Sequence, residues 1–378
     1  MANTLTDLIP DLYAALDTVS RELVGFIPAA TLDANASRAA LGQTVRSPVT
    51  PAVTATDINP NVTPPNDGDQ TIGNRAITIT KARRVPVKWT GEESRGINAG
   101  PGLNPVLQQQ FAQAMRTLTN EIEADMAALY KQASIAYGAP GTTPFASSVA
   151  DSAHLLKILL DNGAPVSDLQ LVIDTTAGAA LRSLQQLTKV NEAGDDSLVR
   201  QGVLLDLHGF VIRESAQIKP HVKGTGTGWL VNNPAGFSVG DTLIDVDSGT
   251  GTILAGDVIT FVNDPNKYVV AKDLTAGVLE IAAPGLKQDL ADNAAITVAD
   301  DFVPSVGFSR SAMILAARAP ALPQGGDSAD DNMVISDPRS GLSFEVSLYR
   351  QYKQIQYEVA IAWGVANIKP EHTALLLG

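Results

Sequence analysis

The 378-residue chain has no cysteine and only four histidines, at positions 154, 208, 221 and 372. The lack of cysteine excludes disulfide bonds, thiolate catalysis and cysteine-ligated metal sites. The histidines are scattered and show no HxxH or HExxH spacing, so no zinc-binding motif is present. We therefore predict neither a metal ion nor a cofactor, and no acid–base pair stands out as a candidate catalytic site.

Basic residues and long apolar runs are also scarce. The chain has 27 Lys and Arg against 40 Asp and Glu, which gives a formal net charge of −13. An acidic surface repels nucleic acid, so sequence-specific DNA binding is disfavoured. The N-terminus lacks the pattern of a secretory signal, and no apolar run approaches the ~20 residues that span a bilayer. These absences favour a protein that is neither secreted nor embedded in a membrane.

The most regular apolar periodicity lies between residues 103 and 138. Asn104 and Pro105 suit the start of a helix, and Gly138 and Pro140 end the pattern. Apolar residues recur every three or four positions, at Leu107, Phe111, Ala114, Leu118, Ile122, Met126, Leu129 and Ala133. We predict one helix over 104–136, which at ~1.5 Å per residue would be about 50 Å long and would pack against a sheet.

The N-terminal region divides into two parts. Residues 1–45 have the pattern of an arm, with an amphipathic helix predicted over 5–23 and a weakly amphipathic Ala-rich stretch over 29–43. In residues 46–98, prolines exclude a helix, and alternating residues predict two strands, at 76–80 and 85–90. A two-stranded ribbon is marginal in water, so it needs a neighbour from the same chain or another one.

A dense group of charges of both signs accompanies the second of these strands. One interpretation is an ordinary solvated face, and the other is a set of ion pairs between subunits. The candidate intersubunit-contact residues are Arg83, Arg84, Lys88, Trp89, Glu92, Glu93 and Arg95.

The middle of the chain has an α/β pattern followed by a β-rich segment. Helices are predicted at 152–162 and 177–187, the second capped by Asp174 or Thr175. Strands are predicted at 169–173 and 209–214. Within 217–302, short strands separated by Gly- and Asp-rich turns predict a small inserted barrel or sandwich. Those strands are predicted at 229–231, 252–254, 258–262, 268–271, 278–281 and 295–298.

The C-terminal region has the clearest strand alternation. Apolar residues occupy every second position from Leu342 to Leu348 and again from Ile355 to Trp363. A turn at 350–353 separates the two runs, so we predict an antiparallel hairpin that buries one face against the long helix. Residues 319–331 have the composition of a flexible loop.

Two short motifs resemble chemical sites, but neither has the required context. Residues 236–240 match GxSxG, in which Ser238 would be a nucleophile, but a β-like run follows instead of the helix that a nucleophile elbow needs. Residues 245–249 contain half of a calcium loop and lack its later glutamate. Turns between strands explain both motifs better.

Four stretches resemble the gene-five-type major coat (capsid) protein family of tailed phages. They are DQTIGNRAITITKARRVPVKWTGEESRGIN (69–98), DLHGFVIRESAQI (206–218), GFSRSAMILAARAPALPQGG (307–326) and SGLSFEVSLYRQYKQIQYEVAIAWGVANIKPE (340–371). The resemblance implies an α+β fold, the Hong Kong 97-type phage capsid fold, with an inserted small all-β domain. Its parts would be an N-terminal arm (1–45), an extended loop (46–98), a spine helix and peripheral domain (99–165 with 341–363), an axial domain (166–216, 303–340 and 364–378) and the insert (217–302).

The resemblance also implies a function and partners. The chain would be a non-enzymatic major capsid protein that assembles with itself, as hexamers and pentamers, into the icosahedral head of a tailed double-stranded DNA phage. It would assemble in the host cytoplasm, enclose DNA without reading its sequence, and bind a portal protein and, where the phage has one, a decoration protein. Because the spine begins by residue 104, no room is left for a built-in scaffolding segment, so a separate scaffolding protein is expected. The alternatives are an encapsulin-like nanocompartment shell protein and, remotely, a serine hydrolase using Ser238.

Overall fold

A computed structural model describes residues 24–33, 38–49, 55–58, 60, 63, 68–69, 71–97, 103–184, 187, 206–336 and 341–378. The helix predicted over 5–23 therefore lies outside the described residues. The α-helices of the described part are α1 (Phe26–Ala29), α2 (Gly91–Ile97), α3 (Leu103–Ala127), α4 (Ala150–Asp161) and α5 (Thr175–Ser183). Short 3₁₀ helices span Ala128–Gln132, Arg310–Ala312 and Pro370–His372.

The strands, numbered along the chain, are β1 (Thr31–Asp33), β2 (Thr44–Val49), β3 (Gly73–Thr78), β4 (Lys81–Thr90), β5 (Ile135–Gly138), β6 (Leu169–Ile173), β7 (Phe210–Glu214), β8 (Leu230–Val231), β9 (Leu243–Asp247), β10 (Val258–Phe261), β11 (Lys267–Thr275), β12 (Val278–Ile281), β13 (Ile296–Val298), β14 (Pro304–Ser309), β15 (Met313–Arg318), β16 (Asp331–Ser336), β17 (Ser343–Gln351), β18 (Gln354–Asn367) and β19 (Thr373–Leu377). Among the described residues they form a six-stranded sheet, an eleven-stranded sheet and a two-stranded ribbon. The structure is thus a mixture of helix and sheet, as predicted.

The six-stranded sheet is built around the hairpin of β17 and β18. The two strands are antiparallel, with Val346 opposite Val359, which confirms the predicted hairpin. One face of the hairpin packs on α3, where the Phe111 and Tyr357 rings meet edge to face at 5.5 Å. The period-two pattern of the sequence therefore identified both the pairing and the buried face.

The long helix is shorter than predicted. It ends at Ala127, a 3₁₀ turn follows, and residues 135–138 form β5 instead of a last helical turn. The reason is pairing with distant strands, since Ile135 lies opposite both Ala374 of β19 and Tyr268 of β11. The 25-residue helix measures about 37 Å at ~1.5 Å per residue, compared with the predicted 50 Å. The apolar stripe of α3 still lies in one core with residues of both large sheets.

The ribbon has a different second strand from the one predicted. Strand β3 pairs with β2, from Thr44 opposite Thr78 to Val49 opposite Gly73. Strand β4, which contains the predicted 85–90 segment, instead pairs along β18 at an edge of the six-stranded sheet. Local alternation identified β3 and β4 as strands, but the partner of each is far away in the sequence.

The larger sheet joins regions that the sequence separates. Strands β14 and β19 are neighbours in it, and β5 connects β19 to β11 of the β-rich segment. That segment has its own apolar cluster and joins this sheet through β11. Strands β15 and β16 pair within the six-stranded sheet, whereas β14 pairs within the larger one. Strand β15 pairs with β18 there, and its apolar side chains are buried.

Candidate interaction surface and buried polar contacts

The predicted contact residues begin on β4, where two arginines pair within the chain. Arg84 Nη1 lies 2.5 Å from Glu358 Oε2 on the adjacent strand, and Arg83 Nε lies 3.4 Å from Glu121 Oε1 on α3. Both arginine side chains are more than half exposed, at 58% and 59%. Exposed pairs of this kind contribute little to stability, so both guanidinium groups remain open to further partners.

The next candidates organise the start of α2. Trp89 Nε1 donates to Gln110 Oε1 of α3 at 2.8 Å, which fixes the end of β4. The Glu93 carboxylate accepts the Thr90 N–H at 2.9 Å, and the Thr90 hydroxyl accepts the Glu93 N–H at 3.3 Å. This reciprocal arrangement is a capping box, and the Thr90 N–H lowers the pKa of Glu93. Trp89 and Glu93 thus have structural roles within the subunit.

Lys88, Glu92 and Arg95 are exposed, and a broad depression of about 720 Å³ opens beside Glu92. The depression is lined by the start of α2 and by the turn between β17 and β18, including Tyr352. The Tyr352 side chain is 86% exposed, and Lys353 Nζ lies 5.5 Å from its ring. The fold brings all three candidates and this aromatic residue to one end of the six-stranded sheet. Sequence reasoning missed Tyr352, although its place in a hairpin turn was a visible signal.

A buried carboxylate holds the chain just after the N-terminal segment. Glu123 of α3 is 1% exposed and accepts the backbone N–H groups of Gly25 and Phe26 at 2.6 and 2.7 Å and of Ile27 at 3.0 Å. Burial raises the pKa of this carboxyl, and the N–H donors limit the rise. These bonds satisfy the first N–H groups of α1, which lack helical acceptors.

Three arginines fix the segment that follows. Arg310 Nη2 donates to the Pro28 carbonyl at 3.0 Å, and Arg318 Nη2 lies 2.9 Å from Asp33 Oδ1. Arg38 Nη1 lies 2.7 Å from Glu345 Oε2. Glu345 and the Arg318 side chain are almost fully buried. Their ion-pair partners, Arg38 and Asp33, therefore take the place of water around these two charges. Residues 24–38, where described, are therefore an integral part of the folded subunit.

The histidines occupy structural positions. His221 is 6% exposed, with Nε2 2.7 Å from Asp257 Oδ1 and Nδ1 2.6 Å from the Tyr130 hydroxyl. Burial raises the pKa of Tyr130 to about 12, so its hydroxyl keeps its proton at neutral pH. Asp257 also accepts the N–H groups of Gly224 and Leu254, at 3.2 and 2.8 Å. This cluster connects the 3₁₀ turn after α3 to the β-rich segment. No local pattern in the sequence predicted it.

The remaining histidines differ in their surroundings. His154 stacks on Tyr137 with 4.2 Å between ring centroids, and His208 Nδ1 lies 2.8 Å from the Ser152 hydroxyl. His372 is buried, and burial lowers its pKa. Across the described residues, no group of three or more histidines and carboxylates is placed to hold a metal ion.

The two chemical motifs are both turns. The Ser238 N–H donates to Asp241 Oδ2 at 2.8 Å, and β9 begins at Leu243, so Ser238 does not begin a helix. Asp247 ends β9, and its Oδ1 accepts the Ser248 hydroxyl at 2.9 Å. In the part of the chain that the structure describes, no helix is long and apolar enough to cross a membrane.

Comparison with known proteins identifies the fold. No family model matches the chain, and no curated protein matches its sequence. A chain from the capsid structure of the cyanophage P-SCSP1u has 13% identity and a TM-score of 0.51, with 94% of this chain and 88% of that chain covered. A Mycobacterium phage Che8 structure gives 12% identity, a TM-score of 0.49 and coverage of 89% and 84%. A virus-like particle from Pyrococcus furiosus gives 11% identity and a TM-score of 0.46, with 98% of this chain and 99% of that chain covered.

Of these three, the cyanophage structure exceeds a TM-score of 0.5, and at its low identity it shows the fold. The chain has the fold of that capsid chain over nearly its whole length. The predicted α+β phage-capsid fold is therefore confirmed.

Proposed function

We propose that this chain is the major capsid protein of a tailed double-stranded DNA phage and assembles with copies of itself into the icosahedral head shell. The observation that carries the proposal is the fold shared with the cyanophage capsid chain, which extends over 94% of this chain. A fold can host several functions, so the surfaces of the subunit must also suit assembly.

The ribbon of β2 and β3 supports the proposal. At its base, Ile77 and Ile79 are buried against Ile314 and Ala362 of the six-stranded sheet. Farther out, Ile58 is 97% exposed and Ile72 is 63% exposed. A short two-stranded ribbon that exposes large apolar side chains gains stability when another surface covers it. We infer that residues 46–98 clamp a neighbouring subunit.

The second intersubunit surface in this proposal is the end of the six-stranded sheet. Glu92 lines the same depression as exposed Tyr352, and Lys88 and Arg95 lie on the adjoining elements β4 and α2. Aromatic and arginine side chains are common anchors of protein interfaces. Arg83 and Arg84 add partly solvated charges along the same edge strand. Several weak contacts per subunit suffice, because closed symmetry repeats them and each subunit is held by several neighbours.

The charge of the chain suits a container. A formal net charge of −13 limits adhesion of enclosed DNA to the wall, so the genome is held without sequence-specific binding. In this proposal the protein is a non-enzymatic component of the virion that assembles in the host cytoplasm. Its further partners are a separate scaffolding protein, a portal protein and, where the phage has one, a decoration protein.

The contents of purified particles test the proposal against the nanocompartment alternative. Particles from infected or induced cells are treated with nuclease, opened, and analysed for DNA and protein. Protected genome-length DNA with portal protein is the expected result. Particles that hold enzyme cargo and no protected DNA would instead support a compartment shell.

A further inference from the structure

Strand β4 forms an edge of the six-stranded sheet. Within the described residues, its ten positions pair with β18 and with no other strand. An unpaired edge presents a row of backbone N–H and C=O groups on which a strand of another chain can pair. The side chains of Ala82, Arg84, Pro86 and Lys88 are all exposed. The edge of β4 is therefore accessible in the single subunit.

The register of β4 shows which of its backbone groups face outward. The Gly91 N–H, just beyond the strand, donates to the Lys353 carbonyl at 3.1 Å. Because hydrogen-bonded positions alternate along an antiparallel pair, the odd-numbered residues of β4 face β18 and the even-numbered residues face away. The Thr90 N–H agrees with this assignment, since it donates to the Glu93 carboxylate of α2. The capping box thus closes one end of the outward-facing row.

Pro86 lies in the middle of that row. It is opposite Glu358 of β18, at a position whose backbone faces away from β18, so its missing N–H costs the subunit no hydrogen bond. On the outer side, the missing N–H leaves a gap between the donors of Arg84 and Lys88. A strand from another chain needs a donor at every second residue, so the possible ladder is interrupted at its centre.

Charge opposes the same pairing. In a symmetric antiparallel pair of two copies centred on Pro86, Arg84 would lie opposite Lys88 of the partner subunit, and this like-charge pair would occur twice. Like charges directly opposite each other destabilise a strand pair. We propose that Pro86, together with Arg84 and Lys88, blocks strand pairing at this edge, so that copies of the chain do not join their sheets through β4.

The block has a consequence for assembly that rests on the proposed function. In a capsid, the edge of β4 would contact neighbouring subunits through its side chains and not through a shared sheet. Such contacts leave the orientation of the neighbour adjustable, whereas a continuous ladder fixes its register. Unassembled subunits would also stay apart, because an open edge is a site of uncontrolled association.

Substitution of the proline tests the proposal in the full chain, kept as a dilute, unassembled subunit. Pro86→Thr supplies the missing N–H on a residue that favours strands. Each copy in a symmetric pair would gain a hydrogen bond, so self-association measured by sedimentation velocity should tighten roughly tenfold. Addition of Lys88→Glu should tighten it further, because Arg84 would then face an opposite charge. The matched control is Pro323→Thr, at an exposed proline in the loop between β15 and β16.

Amide hydrogen exchange identifies the surface that associates. In Pro86→Thr, the amides of Arg84 and Lys88 should become protected as the concentration rises, while protection in β17 stays constant. Equal self-association of Pro86→Thr and Pro323→Thr would overturn the proposal. Association that leaves the amides of Arg84 and Lys88 unprotected would overturn it as well, because another surface would then be responsible.

The parent chain supplies a test that needs no substitution and so does not depend on the folding of a variant. Its amides at Arg84 and Lys88 should exchange rapidly in the dilute subunit. Slow exchange there would overturn the proposal, because an edge that is already paired needs no block.

These measurements are made on unassembled subunits, so their outcome is separate from that of the proposed function. A chain with a blocked edge that never forms shells would keep this inference and remove the capsid proposal. Closed shells from a chain in which Pro86→Thr and Pro323→Thr behave alike would do the reverse.

Discussion

The Glu123 carboxylate accepts the Phe26 backbone N–H at 2.7 Å, although 97 residues separate them. Glu123 also accepts hydrogen bonds from the Gly25 and Ile27 N–H groups, so one buried side chain satisfies three N–H groups at the start of α1. Through this contact α3 holds the chain against Val172 of the larger sheet. Gly25 packs so closely on Val172 that a side chain at position 25 would clash with it. The first described residues are thereby fixed to the centre of the subunit.

Replacement of Glu123 tests how much this contact contributes to the free energy of unfolding. Glu123→Ala should lower the free energy of unfolding of the unassembled subunit by roughly 3 kcal/mol, because three buried N–H groups lose their acceptor. Glu123→Gln keeps one carbonyl oxygen and should fall between Glu123→Ala and the parent. Urea denaturation followed by circular dichroism gives the values.

A matched control is Glu121→Gln, two residues away on the partly exposed face of α3. Its effect should stay within about 0.5 kcal/mol, as for exposed ion pairs. Equal effects at positions 121 and 123 would show that the buried carboxylate does not anchor the segment.

The cluster of Tyr130, His221 and Asp257 gives a second prediction. Tyr130→Phe removes the hydrogen-bond partner of His221 Nδ1 and should cost about 1–2 kcal/mol, because a buried polar atom is left without a partner. Asp257→Ala should cost more, since His221, Gly224 and Leu254 all lose an acceptor. In Asp257→Ala, amide hydrogen exchange should accelerate at residues 224 and 254 while β17 and β18 stay protected. Unchanged exchange at both amides would contradict the assigned role.

His372 predicts a dependence of stability on pH. Burial lowers its pKa below the ordinary value of 6.5, so the folded protein holds it neutral where the unfolded chain would take up a proton. Its contribution to stability is thus present above pH 6.5 and is lost as pH falls through the lowered pKa. His372→Gln should reduce the loss of thermal stability on acidification from pH 7. An identical pH profile in parent and variant would exclude His372 as a source, and His154→Gln, at a stacked site, is a suitable control.

The comparison of pattern and structure shows where local sequence information ends. Alternation at Phe344, Val346 and Val359 reported a face that is buried in the hairpin, so pairing and orientation followed directly. Ile135 and Ala136 lie within the predicted helix yet begin β5, because Ile135 pairs with Ala374 and Tyr268. Pairings that join such distant segments leave no local period in the sequence.

The candidate contact residues show the same division. The charge density around Arg84 and Glu93 was visible in the sequence, but the partners Glu358 and Thr90 were not. Lys88 and Arg95 remain predicted intersubunit contacts. Glu123 has no distinguishing local pattern, since a single acidic residue in a helix is ordinarily solvated.

The ribbon supplies a prediction about assembly. Deletion of residues 63–73 removes exposed Ile72 but leaves Ile77 and Ile79, which are buried. The subunit should therefore fold with a melting temperature close to that of the parent and fail to form closed shells, as seen by electron microscopy. Normal shells from the deletion variant would exclude the ribbon as the main clamp between subunits.

Self-assembly is the central claim, and sedimentation velocity combined with negative-stain microscopy tests it most directly. The purified chain is measured alone and after co-expression with a candidate scaffolding protein, over a range of concentrations. The account predicts fast-sedimenting closed shells of uniform size. A chain that stays monomeric at high concentration, even with the scaffolding protein present, would contradict it.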